Sequence, residues 1–108
     1  MSDIDATTSR HLRGKYAIVG VGETAYTRGS GRTTRALGTE AVRHAVEDAG
    51  LSMADVDGIM SYSGNDSTMS TTIAGDLGIR PNFHMDVIGG GSSTEALVGI
   101  AMGVIEAG

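Results

Sequence analysis

Cysteine is absent from the 108 residues, and with it any disulfide, thiolate metal ligand or cysteine nucleophile. Tryptophan is missing too, and aromatics make up only 4% of the chain, which argues against stacking platforms for bases or sugars. Positive charge is in short supply. Eight Lys plus Arg against 13 Asp plus Glu leave a net charge of −5, the wrong sign for gripping nucleic-acid phosphates. The histidines, His11, His44 and His84, are too scattered to match a metal-ligand spacing, so no metal is expected. No stretch approaches the ~20 apolar residues of a membrane span. No basic start followed by an apolar core marks a signal peptide, so a cytoplasmic setting is expected.

What remains is a globular composition, 40% hydrophobic and 19% charged, with 17 glycines. The length allows one small domain at most. Residues 1–15 are polar and read as a flexible, solvated leader. Tyr16 to Val21 (YAIVGV) is a β-branched apolar run, expected as a strand buried on both faces. A polar, glycine-rich loop from Glu23 to Arg32 follows.

Ala36, Leu37, Ala41, Val42, Ala45, Val46 and Ala49 then recur at helical spacing, with Thr33 or Thr34 as cap and Gly50 as stop. Val56 to Tyr62 reads as a second strand, Ser61 to Ser70 as a surface loop, and Thr71 to Leu77 as a short helix. Asn82 to Ile88 alternates with the period of a strand. After Gly89-Gly90-Gly91, Ser92 with Glu95 predicts a capping box and a last helix.

From Ala96 to Ala107 that helix is apolar or glycine on every side except at Glu106, so it is expected to be mostly buried. Gly99 and Gly103 would admit a second backbone at close range. A chain this small has little material to cover such a helix, which points to a homo-oligomer or to a missing C-terminal half.

Several residues carry chemistry in principle. Gly20 to Ala25 fits the relaxed dinucleotide fingerprint, yet a polar loop intervenes where a helix should open, which favours a plain glycine-rich exit from the strand. Arg28 and Arg32 flank that loop and could meet a phosphate or simply face water. His44 belongs to the polar helix face near Glu40 and Glu47, and His84 alternates with apolar strand positions; both suit solvent. Asp66 fits a turn better than a site.

The junction Gly89 to Ser93 is the most informative. Backbone N–H groups of Gly90, Gly91 and Ser92 beside a helix N-terminus favour an anion or a developing oxyanion. Ser92 lacks the G-x-S-x-G context and any His–Asp support, and suits a cap better than a nucleophile.

Taken in order, Ala17 to Thr24 (AIVGVGET), the helix ending Glu47-Asp48-Ala49-Gly50, Val56-Asp57-Gly58-Ile59, and Gly89 to Leu97 (GGGSSTEAL) resemble the opening of a thiolase-like protein. The branch resembled is the sterol-carrier and lipid-transfer group, often labelled acetyl-CoA acetyltransferase-like. The resemblance covers residues 15–108. It implies an α/β fold, a partial thiolase-like unit of order β-α-β-(α)-β-α over residues 16–108.

Thiolases carry a nucleophilic Cys at the start of the last helix. Aligned on Ala96-Leu97, the family pattern puts Gly90 at the nucleophile position and Ser93 where the family has glycine. A glycine cannot hold an acyl group. The departure is similar to the nucleophile-less branch, whose members include retro-aldol enzymes acting on acyl-CoA thioesters.

The resemblance therefore implies a CoA thioester as substrate, no cofactor, and no catalytic residue within this chain. Gly90, Gly91 and Ser92 are left as an oxyanion cradle. The family's catalytic Tyr and His residues lie beyond Gly108, and Tyr16, Tyr26 and Tyr62 match none of them. Relatives often work with a small OB-fold partner that binds acyl-CoA. The alternative is a non-catalytic module for acyl-CoA or lipid handling, or for assembly.

Overall fold

The computed structural model describes residues 12–64 and 66–108. The leader up to His11 lies outside the described residues, and residues 12–15 form a turn closed by Lys15 N–H on the Leu12 carbonyl at 3.2 Å.

Thr33 adopts an extended backbone, and its hydroxyl accepts the Ala36 N–H at 3.0 Å, starting helix α1 (Thr34–Asp48). Gly50, at φ 73°, ends it. Gly50 N–H bonds the Glu47 carbonyl at 3.0 Å and Leu51 N–H reaches back to Val46 at 3.1 Å, closing a Schellman motif. A 3-10 turn (Met53–Asp55) leads into strand β1 (Gly58–Tyr62). Helix α2 (Ser70–Leu77), strand β2 (Phe83–Val87) and helix α3 (Ser93–Ala107) complete the order.

β1 and β2 pair in parallel, Gly58 opposite Phe83 and Tyr62 opposite Val87, with α2 as the crossover between them. The start of α2 has no side-chain cap of its own, because its N-cap is Met69. Asp86 on β2 takes that place, accepting the Ser70 N–H at 2.8 Å and its hydroxyl at 3.0 Å. Val46, Ile73, Ala74, Ile79 and Leu97 form the small core where the helices meet the sheet. Across the outer face, Arg35 on α1 forks onto the Asp76 carboxylate of α2 at 2.7 and 2.6 Å.

The α/β class stands, with two corrections. Tyr16 to Val21 forms no strand, and Ile18, Val19 and Val21 are 76%, 65% and 69% exposed instead of buried. A β-branched run becomes a strand only with a ladder partner, and this backbone is held elsewhere. Val21 N–H donates to Asp48 at 2.9 Å, and Gly20 and Gly22 press on α1. A Cβ at those two positions would stand 2.3 Å from the Ala45 carbonyl oxygen and 2.0 Å from that of Ala41.

The second correction concerns α3, which is only partly covered: Ser93 and Leu97 are buried, while Val98 and Ile105 are exposed. One face lies against β1, and Gly99 and Gly103 look onto open space. Glu106, the lone acid of its last three turns, receives Lys15 Nζ at 2.6 Å and the Tyr16 hydroxyl. Its position in an apolar helix thus has a use.

Candidate functional site

Parallel sheets present ligand sites at the carboxyl ends of their strands. Here those ends open into two segments, the loop after Tyr62 and the turn Gly89–Ser92. They are tied at their roots by Ser63 N–H on the Val87 carbonyl at 2.9 Å.

The turn follows from three glycines in succession. Gly90 takes φ 82°, a conformation that side chains disfavour, and its carbonyl accepts the Ser93 N–H at 3.1 Å. The chain thereby reverses into α3 within four residues. Gly89, Gly90, Gly91 and Ser92 are all exposed, so the predicted cradle residues share one open turn at a helix N-terminus.

The predicted capping box is absent. Ser92 sits at φ −90°, ψ 1°, not in the extended conformation that aims a cap side chain at the first-turn amides, and it makes no cap bond. Glu95 instead accepts the Thr94 hydroxyl at 2.6 Å. The early N–H groups of α3 are thus not claimed by the Ser92 side chain, and the helix dipole adds positive potential there.

Ser93 is the residue the cradle assignment left out. It is 5% exposed, and its Oγ is buried without a hydrogen-bond partner. The hydroxyl lies under Gly89, where a Cβ would come within 2.8 Å of it. The sequence did carry one signal, a serine where the thiolase-like pattern it resembles has glycine.

Beneath the other loop a cavity of about 320 Å³ separates α1 from β1, lined by Thr34, Leu37, Tyr62, Thr68, Ser70 and Ile73 among others. Thr34 and Thr68 share a hydroxyl–hydroxyl bond of 2.8 Å at its rim. Asp66 borders the same cavity and accepts the Ser67 hydroxyl at 3.2 Å, in keeping with its turn role. A larger groove, about 680 Å³, lies at the opposite end of the strands beside the last turns of α3.

The other candidates disperse. Residues 20–25 open no helix and follow no strand, so the dinucleotide pattern reduces to two glycines packed on α1. Arg32 pairs with Glu40 at 2.8 Å. His44 is exposed and its Nδ1 meets the Glu23 carbonyl at 3.0 Å, pinning the loop to α1. His84 is exposed on β2. Tyr26 bonds Glu23 beside it, which raises its phenol pKa above the ordinary value. Among the described residues no cluster of three or more His, Asp or Glu could hold a metal, and no helix is long and apolar enough to cross a membrane.

No family model matches the chain. Two curated proteins do. The 17-hydroxy-3-oxo-4-pregnene-20-carboxyl-CoA lyase of Mycobacterium tuberculosis is 37% identical over 94 residues, covering 86% of this chain and 24% of the lyase. A steroid side-chain-cleaving aldolase of Thermomonospora curvata is 36% identical over 101 residues, covering 88% of this chain and 26% of the aldolase. Among solved structures, an Ltp2-ChsH2(DUF35) aldolase matches with a TM-score of 0.72 and 35% identity, over 84% of this chain and 24% of that one. The chain spans about a quarter of the length of each. Its homologues are thus side-chain-cleaving aldolases and acyl-CoA lyases.

Proposed function

We propose that residues 16–108 form the N-terminal part of a thiolase-like enzyme that cleaves a carbon–carbon bond of an acyl-CoA thioester by retro-aldol chemistry. The observation that carries this is the 36–37% identity to a CoA-thioester lyase and a side-chain-cleaving aldolase across nearly the whole chain. Gly90 at the nucleophile position supports the same choice, since thiolysis needs a side chain that can carry an acyl group.

In the cleavage, a general base removes the proton of a 3-hydroxyl. Its electron pair closes a carbonyl, the bond between carbons 2 and 3 breaks, and the released pair enters the thioester as an enolate. Protonation at carbon 2 then frees a ketone or aldehyde and a shortened acyl-CoA. Charge develops on the thioester oxygen, and the exposed turn Gly90-Gly91-Ser92 at the start of α3 is the place in this chain to stabilise it. The base belongs to the remainder of the longer protein, and a small OB-fold partner that binds acyl-CoA completes the assembly.

Joining the chain to a remainder of the length its relatives possess, and supplying a 3-hydroxyacyl-CoA, should release a carbonyl compound. Neither the chain nor the joined protein should convert acetoacetyl-CoA and CoA to acetyl-CoA. Thiolysis above background, or a folded joined protein without carbonyl release, overturns the proposal.

A second function, a non-catalytic module for assembly or acyl-CoA handling, is favoured by one feature. Gly99 and Gly103 face open space on a helix whose Val98 and Ile105 are exposed. Sedimentation separates the two: self-association through α3, with no thioester binding, would favour the module.

A further inference from the structure

We propose that the Ser93 hydroxyl donates a hydrogen bond to the thioester carbonyl oxygen, the atom that becomes the enolate oxygen during cleavage. The assignment deepens the acyl-CoA function above and depends on it. Three observations converge on this hydroxyl. It is buried and unpartnered, a state that folding disfavours and that ligand binding relieves. It belongs to the first residue of a 15-residue helix, where side chains tilt toward the N-terminus and the dipole favours negative charge.

It also lies directly beneath Gly89, which covers it, so a ligand seated in the exposed turn reaches it once the Gly89–Gly91 backbone, which carries no side chains, moves aside. Ser93 adds a side-chain donor to the backbone N–H groups of the turn. A hydroxyl donor and the adjacent amides would share the charge that moves onto oxygen as the bond between carbons 2 and 3 breaks.

The test compares the joined protein of the preceding experiment with its Ser93→Ala variant, using acetyl-CoA labelled with 13C at the carbonyl and, as a control, the S-ethyl-CoA thioether that lacks this oxygen. The variant should melt at or above the temperature of the parent, because an unpartnered hydroxyl is replaced by a methyl group. Its affinity for acetyl-CoA should fall about tenfold, the loss of one strong donor. The downfield shift of the bound carbonyl should shrink, while thioether binding stays the same.

Equal acetyl-CoA affinity and carbonyl shift in both proteins would overturn the role of Ser93 and leave the acyl-CoA function standing. A marked fall in the melting temperature of Ser93→Ala would also overturn it, by showing that the hydroxyl has a structural partner. If the parent binds thioester no better than thioether, the acyl-CoA cradle fails and this assignment fails with it.

Discussion

Asp86 holds Ser70 twice, through its backbone N–H at 2.8 Å and its hydroxyl at 3.0 Å, and Ser70 is 1% exposed. One carboxylate on β2 thus supplies the cap that Met69 cannot, and it locks the crossover helix to the sheet three residues before the Gly89 turn. Asp86→Ala strands two buried donors and should destabilise the chain by about 2–4 kcal/mol. Asp86→Asn keeps one acceptor and should lose less. Urea unfolding of both variants checks the order.

Gly20 and Gly22 touch the α1 backbone so closely that a methyl group has no room. Gly20→Ala and Gly22→Ala should each lower stability by roughly 1–3 kcal/mol and free residues 16–30 for proteolysis. Gly75→Ala is the contrasting case, because nothing lies within 4 Å of a Cβ there and the site is helical. It should raise stability by about 0.5–1 kcal/mol. Limited proteolysis and thermal melts report both signs.

The Arg35 fork holds the Asp76 carboxyl below its ordinary pKa, chiefly through the hydrogen bond. A carboxylate more acidic in the folded state contributes stability above the unfolded carboxylate pKa and loses it as pH falls through the folded value. The difference in melting temperature between the parent and Asp76→Asn should therefore be full at neutral pH and shrink below about pH 4. The pair is exposed, so salt should reduce it as well.

Gly99→Ala and Gly103→Ala should each stabilise the isolated chain by roughly 0.5–1 kcal/mol, since both face open space within a helix. If a further polypeptide covers that face, the same substitutions should weaken its association. A shift to weaker association alongside a higher melting temperature would separate the two roles.

Helix α1 was legible because its signals are local: a 3.6-residue period, Thr33 at the cap and Gly50 beyond the end. The two paired strands were legible for the same reason, to within two residues at their ends. Tyr16 to Val21 was not, because strand formation depends on a partner and the grip of Gly20, Gly22 and Asp48 is tertiary. Ser92 followed the capping pattern, but the Gly90 turn set its backbone away from the geometry a cap requires. Nor does any short-range pattern announce that Asp86, 16 residues on, will cap Ser70. Of the site, the open turn was readable; the orphaned hydroxyl of Ser93 was not, since burial is a property of the fold.

A helix greasy on all sides has little to tell it which way to turn about its own axis. In α3 the answer comes from Leu97, buried where the helix meets β1, and from the two ends. Glu106 is tethered to Lys15 and Tyr16 at one, and Ser93 is tucked beneath Gly89 at the other. The tether at Glu106 is exposed and adds a weak restraint to that packing, and a roll by a single residue would swing every side chain through about 100°. The hydroxyl beside the candidate cradle is therefore aimed by Leu97, one turn further along the same buried face.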